Sequence, residues 1–566
     1  MAETHVNFLA GSPLNRLSWL RTSTPFLNAI LARPETRWVL FKNGEPLVRV
    51  DKEKNKNELA TLRTIDLLTL LRPLPIFGQG KEPGEAAQLL DGDDKPISHV
   101  EAARLHGLGI VFLGLHEPEG AQVEGSKALP SQDFAKTDPH VAVSNVSGTA
   151  YFGMDVSSTE ENALGDILKD VSDDVPESDV DGELAKFKQW TDRLQSIYLG
   201  KQSPSAEDAQ SINALFSEIE IHSNTSPEKL QSSGLRKIIA YIAHLDNAPE
   251  SDTNISDLKS RALALTEKLL PPEVEHNQDK SSTAPYEFME PRAAAMSFTA
   301  FDAAILAEAR SMTDWNSRNK FCPGCGSPTY SLWAGWKRAC STLLPWADTT
   351  GKKSCPSAIG LNNFSHPRTD GVVIMAIIDE SGDKILLGKN KRFPHGRFYS
   401  ILAGFIEPGE SFEDAVKREI WEEAGVRVWG VKYHSSQPWP FPANLMVGFY
   451  AFADSSQPVR VDLDNELIEA RWFTRDEVQS VLAHNQGSII TRQEHKVFDN
   501  QDSGNKTTDQ QTTEAIKQPT TETAKQQEAP AFRVPPSTAI AGVLIRDWAN
   551  GRIGAGGSGG LRKGNL

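Results

Sequence analysis

Glu419, Glu422 and Glu423 stand at i, i+3 and i+4 in the run Arg418-Glu419-Ile420-Trp421-Glu422-Glu423, a spacing that puts three carboxylates on one face of a helix. Like charges so placed repel unless a cation joins them, and an all-oxygen donor set suits Mg²⁺ or Mn²⁺. An ion held there can also bind phosphate oxygens and make a coordinated water more nucleophilic, which are the requirements of pyrophosphate cleavage. Arg418 can neutralise part of the cluster or pair with Glu410 from the preceding loop. The alternative is a solvated acidic helix face that holds nothing.

The segment that must position these acids reads as strand, loop, helix, loop, starting at Gly404. Ser411 is a candidate N-cap with Asp414 three positions on, and Gly425 suits a left-handed stop, so a helix is expected from Phe412 to about Ala424. Downstream, the prolines at 438, 440 and 442 in Ser436-Gln-Pro-Trp-Pro-Phe-Pro-Ala-Asn444 restrict the backbone and predict a rigid loop. It would hold Trp439 and Phe441 for stacking on a base or nicotinamide ring. Taken alone, a surface loop or polyproline-like binding segment fits as well.

The four cysteines, 322, 325, 340 and 355, fall in one window, which favours a metal site over a disulfide framework. Phe321-Cys322-Pro-Gly-Cys325-Gly reads as half of a zinc knuckle. Cys340 and Cys355 are the candidates to complete it, with the loop between them bulging outward. Free thiols or a redox Cys-x-x-C are the competing readings.

With 566 residues, several compact units are expected. The formal net charge of −16 argues against a non-specific grip on nucleic-acid backbones, which depends on a positive surface. No apolar run is long enough to cross a bilayer, and the start, Met-Ala-Glu-Thr-His, lacks a basic signal region. A cytoplasmic protein is expected, with the peroxisome as the alternative, although Gly564-Asn565-Leu566 matches a Ser-Lys-Leu address poorly.

Residues 1–310 read as an N-terminal α+β domain carrying an insertion at about 157–290, and residues 315–365 as the cysteine module. Residues 366–550 read as the catalytic domain with a disordered insertion at about 493–530, and 551–566 as a flexible tail. Between Glu160 and Glu183 there are ten acidic residues and one lysine, a composition expected to stay disordered. From Leu184 to Lys268 the apolar residues recur at helical spacing. One helix is expected at Ala293–Ala307, a hairpin from Val372–Ile378 and Lys384–Leu387 closed by Glu380-Ser381-Gly382, and another helix from Thr538 to Trp548 with Ser537 as N-cap.

The acidic segment resembles the signature of the Nudix hydrolases: Gly, five residues, Glu, seven residues, Arg-Glu, an aliphatic residue, one residue, Glu-Glu, one residue, Gly, an aliphatic residue. Every fixed position is filled, from Gly404 to Val426. The resemblance implies that Glu419 and Glu423 are leading metal ligands, Glu422 a further ligand or proton acceptor, and the carbonyl of Ala403 another ligand. The proline-rich segment resembles the motif Ser-Gln-Pro-Trp-Pro-Phe-Pro-x-Ser of the NADH pyrophosphatase branch. That likeness implies substrate binding by Gln437, Pro438, Trp439, Pro440, Phe441, Pro442, Ala443 and Asn444, the last in place of serine.

Further likenesses lie at Asn7-Phe-Leu-Ala-Gly-Ser-Pro-Leu-Asn-Arg-Leu, at Glu466-Leu-Ile-Glu-Ala-Arg-Trp472 and at Thr538-Ala-Ile-Ala541. They imply Glu466 as a metal ligand and Ala541 as a substrate contact. His366 stands where the family has tyrosine, which implies a substrate contact, a surface histidine being the alternative. The implied fold is α+β: a Nudix α/β/α sandwich with mixed sheet, a structural zinc ribbon and an N-terminal degenerate Nudix-like domain. The implied activity splits NADH or NAD⁺ into nicotinamide mononucleotide and AMP in a homodimer. Removal of NAD caps from RNA and a non-hydrolysing dinucleotide-binding scaffold are the alternatives.

Overall fold

The computed structural model describes residues 6–51, 56–71, 75–78, 104–105, 107–117, 143–144, 146–171, 179–200, 206–222, 227–245, 253–269, 286–344, 347, 350, 355–358, 366–391, 397–463, 466–491, 494 and 529–553. The expected insertion at 493–530 and the tail at 551–566 lie almost wholly outside them. The chain divides into two compact units, one made of residues 1–12, 290–307 and 369–566, the other of 13–289 and 308–368. Residues 1–12 and 290–307, assigned from the sequence to the N-terminal domain, therefore cluster with the C-terminal one. Among the described residues no helix is long and apolar enough to cross a membrane.

The unit that carries the acidic helix is built on a six-stranded mixed sheet. Along it run Val428–Trp439, Asn444–Ala453, Asp370–Asp379, Lys384–Asn390 and Leu467–Thr474, with Leu402–Phe405 pairing antiparallel to Asp370–Asp379. The Asp370–Asp379 strand pairs parallel with Asn444–Ala453, and its nearly continuous apolar run follows from burial on both faces. Val373, Met375 and Ile377 pack with Ala415, Val416, Ile420 and Ala424 of the acidic helix on one side. Ile374, Ala376 and Ile378 pack on the other with Val478, Val481, Leu544, Ile545 and Trp548. Alternation along one strand thus feeds two cores, and the unit is an α/β/α sandwich. The expected hairpin is present, with Ile377 opposite Leu386.

The other unit holds an eight-stranded mixed sheet whose main path runs Leu14–Asn15, Gly109–His116, Thr149–Asp155, Arg37–Lys42, Glu45–Asp51 and Lys56–Leu59. Five helices, Gly182–Gly200, Ala206–Ile221, Pro227–Ser233, Leu235–Ala243 and Thr253–Lys268, occupy the stretch read as helical. Buried Asp66 accepts hydrogen bonds from Arg63 and from Lys237 of the helical segment, which links that segment to the sheet domain.

Three local expectations fail for identifiable reasons. Residues Glu161–Lys169, expected to be disordered, form a helix that buries Leu164 and Leu168, because two leucines at i and i+4 suffice to dock an otherwise acidic turn. The helix expected over Ala293–Ala307 is interrupted, giving Pro291–Ala295 and Ala300–Arg318. Glu290 caps the first piece through the amides of Arg292 and Ala293, and the Thr299 hydroxyl accepts from the Asp302 amide in the second. Ser537 caps nothing: the helix starts at Ile540, its N-cap is Ala539, and no cap side chain bonds to it.

Candidate active site

The acidic helix is Phe412–Ala424, bounded as its sequence predicts. The Ser411 hydroxyl accepts from the Asp414 amide, and Gly425 takes the left-handed conformation at φ 66° while its N–H donates to the Trp421 carbonyl. Its buried face carries Ala415, Val416, Ile420 and Ala424, and Glu423 lies on that same face, only 4% exposed. The acids are therefore graded: Glu423 is buried, Glu419 largely covered and Glu422 half-exposed.

Arg418 organises this cluster. Its Nε and Nη2 donate to the two oxygens of Glu410 at 2.5 and 2.9 Å, and Nη1 donates to Glu419 at 2.8 Å and Glu422 at 3.0 Å. Nη2 also donates to the Phe405 carbonyl at 2.8 Å, so every N–H of the guanidinium is used. Glu410 further accepts from the Glu407 amide, which folds the loop onto the helix. The Arg418 hydrogen bonds hold the Glu410 carboxyl down at about 2. Burial raises that of Glu419, and the negative charges of Glu422 and Glu466 push the same way against Arg418. Glu466 thus belongs electrostatically to the cluster despite its distance in sequence.

Gly404 fits this arrangement through its missing side chain. A Cβ there would lie 1.9 Å from the carboxyl carbon of Glu419, so glycine is what lets the carboxylate lie against the strand beside the Ala403 carbonyl. Glu419, Glu423, Glu466 and the Ala403 carbonyl all offer oxygen donors, and the charge of Glu466 is felt at Glu419.

A second feature of the same unit is a cavity of about 280 Å³, lined mainly by apolar groups. Trp439, Phe441 and Ala541 line it, as expected, together with Phe8, Leu9, Arg292, Phe398, Ser400 and Ile490, which the sequence did not single out as site residues. The Arg292 guanidinium carbon lies 4.5 Å from the centroid of the Phe441 ring. Ile374 also lines the cavity and is the cross-strand partner of Ala403. Ile374, Ile540 and Ala541 belong to the core on the face of the sheet opposite the acidic helix, so the cavity lies on that other face.

The proline-rich segment, expected to be a rigid loop, is largely strand. Residues Ser436 to Trp439 complete a strand, and Asn444 opens the next one opposite Trp439. Pro438 is tolerated because this strand lies at the sheet edge, where a missing N–H costs no ladder bond. Only Pro440, Phe441, Pro442 and Ala443 form the turn. The Trp439 and Phe441 rings meet edge to face, 5.1 Å apart at 75°, so they brace one another instead of standing as separate platforms.

Gln437, expected to contact substrate, lines the cavity, is buried and spends most of its amide on backbone. Nε2 donates to the carbonyls of Phe8 at 2.7 Å and Thr538 at 2.9 Å, and Oε1 accepts from the Ile540 amide at 2.8 Å. It thereby supplies, from the neighbouring strand, the cap that Ala539 cannot give. His366 belongs to the other unit, where its ring lies 5.5 Å from that of Trp333.

In that other unit the four cysteines converge, their sulfurs all within 4.8 Å of one another. Cys322, Cys340 and Cys355 are buried and Cys325 is exposed. Gly326 at φ 75° closes the first knuckle, its amide donating to the Cys322 carbonyl at 2.7 Å. Cys340 ends the strand Lys337–Cys340, and Cys355 reaches the same point from beyond the intervening loop. Hydroxyls surround the sulfurs: Ser357 Oγ lies 2.8 Å from Cys355 Sγ and Thr342 Oγ1 3.0 Å from Cys340 Sγ. Bonds from Ser327 lower the Cys325 thiol to about 6, whereas burial pushes Cys340 up to about 12.

Residues 367–493 match the family model described as the NUDIX domain. "NAD-capped RNA hydrolase NUDT12" of Homo sapiens is 43% identical over 247 residues, covering 44% of this chain and 42% of that protein. "NAD-capped RNA hydrolase" of Schizosaccharomyces pombe is 47% identical over 180 residues, covering 32% of this chain and 46% of that protein. "NAD-capped RNA hydrolase NudC" of Mycobacterium bovis is 38% identical over 179 residues, covering 32% of this chain and 50% of that protein. The chain spans half or less of the length of these relatives.

Proposed function

The chain carries a NUDIX domain over residues 367–493, and from that premise we propose that it hydrolyses the pyrophosphate of NADH or NAD⁺ to nicotinamide mononucleotide and AMP. The observation that carries this reading is that one unit holds both the Arg418-organised acidic cluster and a cavity lined by Trp439 and Phe441. A dinucleotide needs both: a hard-cation site for its diphosphate and an apolar recess for one of its rings.

Glu419, Glu423, Glu466 and the Ala403 carbonyl would hold Mg²⁺ or Mn²⁺, in the space that Gly404 leaves for the Glu419 carboxylate. Such an ion, when bound, supplies charge neutralisation at the diphosphate and lowers the pKa of a coordinated water. Arg418 keeps the loop and the acids in register, and Trp439 and Phe441 orient the ring in the cavity. Water oxygen attacks one phosphorus, the bridging P–O bond breaks, and the second phosphate leaves with its mononucleotide. Glu422, the most exposed of the three clustered acids on the helix, is suited to accept the proton. The four cysteines would hold a structural Zn²⁺, a closed site with no position left for chemistry.

Release of AMP and nicotinamide mononucleotide from NADH with Mg²⁺ or Mn²⁺, abolished in Glu423→Gln, tests the proposal; full activity in that variant would refute the metal assignment. A second reading has its own support, because the relatives above are named for NAD-capped RNA. Both reactions break the same bond, and the charge of −16 ranks the free dinucleotide first. Competition between NADH and NAD-capped RNA for the full chain discriminates them. A homodimer is part of the same proposal, checked by light scattering.

A further inference from the structure

We propose that the N-terminal turn Asn7–Ala10 is a wall of the ring-binding cavity and sets how tightly the dinucleotide is held, an inference that rests on the cavity taking one ring of that substrate. Residues 367–493, the part that matches the NUDIX model, do not close this cavity. Phe8 and Leu9 line it, Phe8 from 429 residues away in sequence relative to Gln437.

The turn is fastened at two points. Asn7 is buried, and its Nδ2 donates to Ser435 Oγ at 2.9 Å and to the Ser436 carbonyl at 2.8 Å. The Phe8 carbonyl accepts from Gln437 Nε2 at 2.7 Å. Those anchors sit on the strand whose next residues are Pro438 and Trp439, so the turn is indexed to the aromatic wall opposite. The turn itself closes through Ala10 N–H to the Asn7 carbonyl at 3.0 Å.

Leu9 is the telling residue. It sits at φ 71°, a backbone region that favours glycine, yet its side chain is 3% exposed and lines the cavity. A leucine held against its backbone preference signals that the side chain, not the turn alone, is required there. Because both N–H groups of Gln437 are spent on backbone carbonyls, it has no donor left for a ligand, and the ring would be gripped chiefly by shape and stacking on this side. The Phe8 and Leu9 side chains would supply that shape.

The experiment compares full-length wild type with Phe8→Ala, Leu9→Gly and Leu9→Trp. NADH hydrolysis kinetics are paired with quenching of tryptophan fluorescence by nicotinamide mononucleotide and by AMP. Phe8→Ala and Leu9→Gly should raise KM and the dissociation constant of one mononucleotide about tenfold with kcat within about twofold, the signature of lost ground-state grip. Leu9→Trp, which fills the recess, should do the same by exclusion. Leu9→Gly suits the backbone, so a folded variant is expected, and thermal melting verifies it.

An active wild type whose KM and mononucleotide affinities are untouched by all three substitutions would overturn this inference alone. A wild type that binds a mononucleotide but leaves NADH intact would overturn the proposed reaction, while the three variants would still test the wall through binding. A wild type that binds neither mononucleotide would overturn both.

Discussion

Arg418 and Glu410 form a two-bonded pair across one loop and two helical turns, with Nε to Oε1 at 2.5 Å and Nη2 to Oε2 at 2.9 Å. The pair fixes the loop that leads into the acidic helix, and the same guanidinium reaches Glu419 and Glu422. Position of the acids and neutralisation of their charge thus depend on one side chain.

An acid-sensitive contribution to stability follows. The folded-state pKa of Glu410, about 2, lies below the ordinary value of 4.5, chiefly through its bonds to Arg418. The contribution is therefore complete above the ordinary carboxyl range and is lost as pH falls towards about 2. In Arg418→Gln, the decline of the thermal midpoint across that window should become shallower. An acid limb identical to wild type would show that the pair adds nothing.

Divalent ions should stabilise the protein through the buried carboxylate. Glu423 is 4% exposed on the helix face that packs on the sheet. Addition of Mg²⁺ or Mn²⁺ should raise the melting temperature, and Glu423→Gln should abolish the rise while lowering turnover of NADH about 100-fold or more. Calorimetry with and without the ion reads the first effect independently of the second.

Gly404→Ala should fold and fail. The added methyl would meet the Glu419 carboxyl at 1.9 Å, so the side chain must swing away, and misplacement by about 1 Å can cost on the order of 100-fold in rate. Activity close to wild type would mean that Glu419 does not need its place beside Ala403.

Gln437→Ala should register first as lost stability. It strands the carbonyls of Phe8 and Thr538 and the amide of Ile540, and buried unsatisfied groups cost about 1–3 kcal/mol each, so a loss of about 3 kcal/mol or more is expected in urea unfolding. A variant as stable as wild type with only KM altered would make direct substrate contact its main role.

Cys355→Ser should release the metal of the cysteine cluster. The sulfurs lie within 4.8 Å of one another, although Cys340 and Cys355 are far apart in sequence. Elemental analysis should find about one zinc per wild-type chain and markedly less in the variant. Zinc absent from undamaged wild type would remove the site.

The acidic helix was legible almost to the residue, because its determinants are local. Ser411, Asp414 and Gly425 act on amides within a few positions, and the period of the helix aligns Glu419 with Glu422 and Glu423. The knuckle at Cys322 and Cys325 was legible for the same reason. The stretch from Glu160 misled, because average charge describes solvation and not the two leucines that dock Glu161–Lys169. Ser537 misled because a capping residue is a local option that a distant Gln437 can displace.

What the sequence by itself determined is therefore the chemistry: which carboxylates share a helix face, which glycine precedes them and which thiols can share an ion. Tertiary structure alone decided which surfaces close around that chemistry. Asn7 meets Ser435 across 428 residues, and Arg292 meets Phe441 from a helix of five residues. Such contacts are selected by burial and by the pairing of buried polar groups, and neither leaves a periodic trace in the chain.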